Sequence, residues 1–392
     1  MISVEEALER LFDLVAPLDE ETVPLAEAGG RVLARPVSAR RTQPPFAAAA
    51  MDGYALCEED AVPGRRLTVI GESAAGRRFP GTVGPGEAVR IFTGAPMPEG
   101  ADRVVIQEDV SRDPQGIVLD MDIGNGPHVR PAGIDFREGD RLDAPRRLSP
   151  ADVALLAAMN LPLLPVTRRP VVALIATGDE LVAPGELPGP DQIVASNGYG
   201  LKALLEGLGA EARLLPIARD TRESLRMAFL LAEGADLIVT IGGASVGDHD
   251  LVAPVAAEMG MKTAFYKVKM RPGKPLMAGR LNGTAMIGLP GNPVSAIVCG
   301  HVFLAPVIRH MLGLGRAPAP RASAALANAL PANGPREHYM RARLAPDGIE
   351  VFPTQDSALL SVLSSADALV VRPPGDGPRA KGERVEYLPL GA

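Results

Sequence analysis

Five carboxylates, Asp179, Glu180, Asp220, Asp248 and Asp250, fall at expected strand ends or helix starts between residues 177 and 250. Acids so placed can hold Mg²⁺ against phosphates, because Mg²⁺ takes oxygen ligands and shares them with phosphate groups. Helix capping accounts equally well for Asp220 and Asp248, since Asp is a favoured cap on its own account; Glu180 has no such alternative. Two loops of small residues accompany them. Gly242-Gly243-Ala244-Ser245-Val246-Gly247 directly follows an apolar run, so backbone N–H groups can approach an anion unobstructed. Gly288-Leu289-Pro290-Gly291-Asn292-Pro293 opens a helix and sets its positive end at the same edge. Neither loop fits GxGxxG or GxxxxGK[ST], so a dinucleotide or P-loop nucleotide site is not indicated. Between them, alternation along an expected strand puts Lys267, Lys269 and Arg271 on one face before a rigid turn presents Lys274. Alone, such a run reads as a solvated basic edge; beside two anion cradles it reads as a means of neutralising phosphates.

The elements that must position these groups alternate strand and helix from Arg169 to about Gly313. Val171 to Ala176 and Leu237 to Ile241 are buried strands, Ser196-Asn197 begins a helix, and Asp220-Thr221 caps another. Strands are expected near Ala264 to Lys269 and Ala285 to Leu289, and a long helix from Pro293 to Leu312. This rhythm predicts a mostly parallel sheet with the polar loops at its carboxyl edge, where open α/β sheets bind ligands. Elsewhere the text differs. Met1 to Val15 is an amphipathic helix, and Met51 to about Gly139 is a glycine- and proline-punctuated β unit with candidate strands at 65–72, 87–92, 103–108 and 116–122. Ser149 caps a helix with Pro150 in its first turn, and the tail from Pro318 is again short strands. The expected organisation is an elongated N-terminal domain (1–45 and 140–168), an inserted β domain (46–139), an α/β domain (169–316) and a C-terminal β domain (317–392).

Composition narrows the function classes. The 392 residues are 46% hydrophobic and 22% charged, with net charge −7 and no long Lys/Arg run, so a nucleic-acid surface is not expected. Cys57 and Cys299 stand far apart without zinc-spaced partners, which predicts two reduced thiols. No signal peptide is read at the N-terminus, and no apolar run of membrane-spanning length is expected, which makes the cytoplasm the expected compartment.

Five stretches resemble the molybdopterin molybdenumtransferases, called MoeA in bacteria and the E domain of gephyrin in animals. They are Ala50-Met51-Asp52-Gly53-Tyr54-Ala55; Thr93-Gly94-Ala95 with Pro98-Glu99-Gly100-Ala101-Asp102; Thr177 to Leu181; Gly242 to Gly247 with Asp250; and Lys267 through Pro275 leading to Gly288 through Ala296. They occur in the family's order over nearly the whole chain. The resemblance implies a multidomain α/β plus β fold: a three-layer molybdopterin-binding domain, an inserted small β domain, a helical and extended N-terminal domain and a C-terminal β-barrel-like domain. It also implies a homodimer whose active site lies between the α/β domain of one subunit and the insertion-side domains of the other. On the family's pattern, Asp52, Thr93 and Asp135 are active-site residues supplied by the partner subunit. Glu180, Asp220 and Asp250 match its acidic positions and the metal site. Lys267, Arg271 and Lys274 match its basic cluster, and Pro290 and Pro293 its third loop; with Gly242, Gly243, Ser245, Gly247, Gly291 and Asn292 these are the expected cofactor-binding residues. Two departures stand out. Phe46-Ala47-Ala48-Ala49-Ala50 replaces the usual Phe-Asp-Asn-Ser-Ala, and Arg271 stands where lysine is common, keeping the charge but changing oxyanion geometry.

The implied activity is insertion of molybdenum from molybdate into adenylylated molybdopterin, with Mg²⁺ and release of AMP. Implied protein partners are the molybdopterin adenylyltransferase and molybdoenzymes or cofactor carriers. Two other readings stay open at this point: adenylyl transfer to molybdopterin, and a scaffold role like that of the gephyrin E domain.

Overall fold

A computed structural model describes residues 1–243 and 251–391. The chain forms two compact units, Met1–Glu21 with Val166–Ala392, and Thr22–Pro165.

In the first unit the helix Val4–Phe12 is capped by Ser3, whose hydroxyl accepts from the Glu6 N–H at 3.0 Å. Val4, Ala7, Leu8, Leu11 and Phe12 recur at helical spacing and are all buried, as the sequence pattern predicts. The main sheet has six strands in the order Glu211–Leu214, Val171–Ala176, Leu237–Ile241, Thr284–Leu289, Met277–Leu281, Lys262–Tyr266. The first four run parallel and the last two are antiparallel additions. Because the chain passes from the strand at 171 to a neighbour on one side and then to one on the other, its order reverses between Val171–Ala176 and Leu237–Ile241. Such a reversal leaves a crevice at the carboxyl ends. Under the sheet, Ile175, Leu225, Phe229, Val255 and Met286 are each at most 5% exposed and share one core. Burying an apolar side chain of this size contributes about 1.5–3 kcal/mol.

Three details differ from expectation. Met277–Leu281 is an additional strand, joined to Thr284–Leu289 by Asn282 and Gly283, both at positive φ (49° and 91°), a primed hairpin turn. The expected helix from Pro293 is α-helical over Pro293–Cys299 and Ala305–Met311, with a π-helical segment, Gly300–Leu304, between them. This Pro293–Met311 stretch, with mean hydropathy 1.5, is also long and apolar enough to cross a membrane, contrary to expectation. It is 83% buried, which is the condition of a core helix.

The C-terminal strands circle into a small barrel. Met270–Arg271 and Glu337–Ala345 pair, followed by Ala368–Arg372, Arg384–Pro389 and Ala322–Ala325, while Gly348–Val351 pairs with Glu337–Ala345. A bridge from Leu326 to Ile349 closes the ring.

The second unit holds a six-stranded sheet in the order Arg103–Ile106, Gly53–Leu56, Glu87–Ile91, Arg66–Ser73, Gly116–Leu119, Val110–Asp113. Tyr54, Leu56, Leu67, Val105 and Ile117 pack on its inner face. At its base Val37–Ser38 pairs with Arg141–Leu142 and Val32–Leu33 with Arg146–Arg147. The helix Pro150–Ala158 follows, with Ser149 and Asp152 forming a reciprocal capping box.

Candidate functional site

At the crevice between Val171–Ala176 and Leu237–Ile241 lies a cavity of about 780 Å³. Thr177, Gly178 and Glu180 follow the first strand into its wall, Gly242 and Gly243 follow the second, and Pro290 to Pro293 follow the strand Thr284–Leu289. Asp220 lines it from the loop before the helix Arg222–Leu231. The close approach of these strand ends explains one glycine. Gly242 sits at φ +96°, and a Cβ there would come within 2.7 Å of the Thr177 carbonyl.

Two helices point their N-termini at this space, Asn197–Gly207 and Pro293–Cys299. Neither N-cap residue, Ser196 or Asn292, caps its own helix through its side chain. Instead Asn292 Nδ2 donates to Ser357 Oγ at 3.1 Å, and Asn197 Nδ2 donates to the Gly291 carbonyl at 2.7 Å. In the second helix Pro293 has no N–H and Val294 donates to the Ser357 carbonyl at 3.0 Å, so fewer donors are left than the loop sequence suggests. The dipole of the longer helix, starting at Asn197, remains directed at the cavity.

Glu180 and Asp220 both line the cavity, Glu180 as an exposed carboxylate whose oxygens lie over the Gly178 α-carbon. Asp220 is not the helix cap: Thr221 holds that role and accepts from Ser224 N. The Asp220 N–H is held by Asp179 Oδ1 at 3.1 Å, so Asp179 orders the loop that carries it. Two cavity carboxylates are a donor set that suits a hard divalent cation sharing its ligands with phosphate. Among the described residues no three such side chains converge. Ser245, Gly247, Asp248 and Asp250 lie outside the described residues.

The basic segment is arranged differently from expectation. The edge strand ends at Tyr266, Lys267 adopts φ +72°, and Met270–Arg271 joins the barrel instead, pairing with Glu337 and His338. Lys267, Lys269 and Arg271 therefore do not share one strand face. None of the four cations is in the cavity wall; Pro275, where their segment ends, is. Arg271 belongs to a positive cluster that the sequence reading missed. Burial first, and then the charges of Arg271, Arg336, Arg372 and Arg341, together hold the His338 imidazole down at about 4.

In the second unit Asp52 and Thr93 are brought together. One Asp52 oxygen accepts from the Thr93 N–H at 2.7 Å and from its hydroxyl at 2.8 Å. These two bonds, in that order, hold the Asp52 carboxyl below its ordinary range; burial opposes them, and Arg90 adds a lesser pull in their favour. Asp135 is exposed, its N–H held by the Gln43 carbonyl at 3.2 Å.

Structure also supplied wall residues that sequence reasoning passed over: Ile193, Val194, Ser196, Asn197, Pro275 and Ala358. For Asn197 the signal was present, since it opens a helix at the carboxyl edge of the sheet. Ala358 arrives from the barrel and had no local signal.

A crevice at the strand-order reversal, faced by helix N-termini and carboxylates, defines an α/β domain with the ligand-site placement of open α/β sheets. Residues 173–310 match the model of a probable molybdopterin binding domain, 2–160 that of the MoeA N-terminal region (domains I and II), and 323–390 that of the MoeA C-terminal region (domain IV). A molybdopterin molybdenumtransferase of Nostoc sp. is 37% identical, with 100% of this chain and 94% of that protein aligned. One from Synechococcus elongatus is 35% identical over all of both chains. The solved structure of a molybdopterin biosynthesis MoeA protein from Pyrococcus horikoshii superposes with a TM-score of 0.82 at 31% identity, covering both chains completely. The chain belongs to the MoeA family, and it is an enzyme, a transferase.

Proposed function

We propose that the protein inserts molybdenum from molybdate into adenylylated molybdopterin, releasing AMP, as a cytoplasmic homodimer with the four-domain boundaries given above. The observation that carries this reading is the conjunction, in one cavity, of backbone loops suited to phosphate and the two carboxylates Glu180 and Asp220.

In this reading Gly242, Gly243, Ser245 and Gly247, with Pro290, Gly291, Asn292 and Pro293, hold the phosphates and pterin. The helix starting at Asn197 adds its dipole. Glu180 and Asp220, joined by Asp250, would hold Mg²⁺. Bound there, Mg²⁺ would polarise the phosphoanhydride. Bringing the molybdate dianion to a phosphate-bearing ligand is opposed by charge repulsion; Lys267, Arg271 and Lys274 offset it from the segment ending at Pro275. Asp52, Thr93 and Asp135 act from the partner subunit. The pair Asp52 and Thr93 keeps a carboxylate ionised and oriented, as a water-orienting group requires.

The test is AMP release from adenylylated molybdopterin, with and without molybdate and Mg²⁺, for the wild type, Glu180→Ala and Asp52→Ala. Release that needs both additions and is lost in both variants supports the proposal. Consumption of ATP on free molybdopterin would replace it with adenylyl transfer.

A further inference from the structure

Arg341 is a buried guanidinium whose charge burial opposes and the Asp356 carboxylate favours only from a distance. It is 2% exposed, and among the described residues it makes no ion pair. Its hydrogen bonds go to neutral oxygens of one short loop. Nε donates to Gln355 Oε1 at 3.3 Å, Nη1 to the carbonyls of Asp356 at 2.8 Å and Leu359 at 3.4 Å, and Nη2 to the Thr354 carbonyl at 3.4 Å. Gln355 completes the clamp, accepting from the Arg341 N–H at 2.9 Å and donating to the Arg341 carbonyl at 3.0 Å.

A buried guanidinium is costly to desolvate, and a neutral side chain of similar volume would close the barrel at lower cost. What only arginine offers is a rigid planar fork that fixes several acceptors at once. The loop so fixed, 354–359, is the one that reaches the cavity. The Ser357 carbonyl takes the Val294 N–H, the Ser357 hydroxyl takes Asn292 Nδ2, and Ala358 stands in the wall. The fork is therefore linked through one loop to the first turn of the helix that begins at Pro293.

We propose that Arg341 is a positioning residue: through the 354–359 loop it sets the Asn292–Val294 turn and the Ala358 wall of the substrate cavity. Its contribution to turnover rests on the reading of that cavity as the substrate site; its hold on the loop does not.

The experiment uses the full-length protein. Arg341→Lys keeps the charge but not the fork. Two readouts are taken, amide hydrogen exchange and steady-state kinetics with adenylylated molybdopterin. The expected result is exchange of the Val294 amide faster by about tenfold, with KM raised about tenfold and kcat within about twofold, the pattern of lost uniform binding. Amides of Val171–Ala176 and Ala368–Arg372 should keep their protection. Should Arg341→Lys fold poorly, Ser357→Ala removes the Asn292 contact at the far end of the same loop while leaving the Val294 bond to the Ser357 main-chain carbonyl, and about a threefold rise in KM is expected. Unchanged Val294 exchange in Arg341→Lys overturns the proposal, as does unchanged KM in either variant while Glu180→Ala abolishes turnover. If Glu180→Ala also leaves turnover intact, the reading of the cavity has failed; faster Val294 exchange would then still sustain the hold of Arg341 on the loop.

Discussion

Thr93 donates both its backbone N–H and its hydroxyl to a single oxygen of Asp52, at 2.7 and 2.8 Å. Both bonds favour the charged carboxylate, which is why its pKa is depressed. Thr93→Ala removes the hydroxyl and leaves the N–H. The Asp52 carboxyl should then titrate higher, nearer the ordinary value of about 3.9, in a carbonyl-carbon NMR titration. An unmoved titration would show that the backbone bond alone sets the carboxylate.

His338 should make the protein sensitive to acid. Its folded pKa is about 4, against about 6.5 in the unfolded chain. The unfolded state therefore takes up a proton first as pH falls. Stability is fully present above about 6.5 and declines toward pH 4, by on the order of 3 kcal/mol for this residue. His301, also held at about 4 by burial, acts in the same direction. Urea midpoints at several pH values should show that His338→Gln loses less stability between pH 7 and 5 than the wild type. Parallel losses would contradict this assignment.

Asp236 ties the start of the strand Val171–Ala176 to its neighbour Leu237–Ile241. It accepts two bonds from Arg168, at 2.6 and 2.7 Å, and the Val171 N–H at 2.8 Å. Burial works to raise its pKa, but these bonds outweigh it and the net direction is downward. Its contribution is thus present at neutral pH and lost as pH falls through that depressed value. Asp236→Asn should cost about 1–3 kcal/mol at pH 7 in urea denaturation, and the cost should shrink in acid.

Gly273 stands at φ +104°, and a Cβ there would lie 2.5 Å from Cys299 Sγ and 3.3 Å from Met270 Sδ. Gly273→Ala should cost about 1–3 kcal/mol in the same assay. Combining it with Cys299→Ala removes the sulfur clash but not the backbone strain, so the double variant should be more stable than the two single losses summed. Strict additivity would mean that Cys299 does not define the turn.

Local signals carried much of the fold. Val4, Ala7, Leu8, Leu11 and Phe12 announced the first helix by spacing alone, Ser149 and Pro150 marked a helix start, and the small residues at 242–243 and 290–293 marked strand ends that do line the cavity. The basic segment misled because alternation of Lys267, Lys269 and Arg271 is also what an irregular crossing produces. Its pairing partner, Glu337–Ala345, lies far along the chain. The hairpin at Asn282-Gly283 was legible in principle, since an Asn-Gly pair between apolar runs favours a two-residue turn. Ala358 and the Arg341 clamp were not, because both depend on barrel residues meeting a distant helix.

Met270–Arg271 deserts the α/β sheet to become an edge of the barrel, after which the chain returns as Met277–Leu281. The two modules are consequently stitched together, with the main chain crossing between them at 267–270, at 271–276 and again after 311. Deleting 317–392 would strip the 270–271 strand of its partner rather than release a finished α/β domain. For the same reason, grafting the barrel of one relative onto the body of another calls for exchange of the 267–275 segment as well, because that segment is tailored to both.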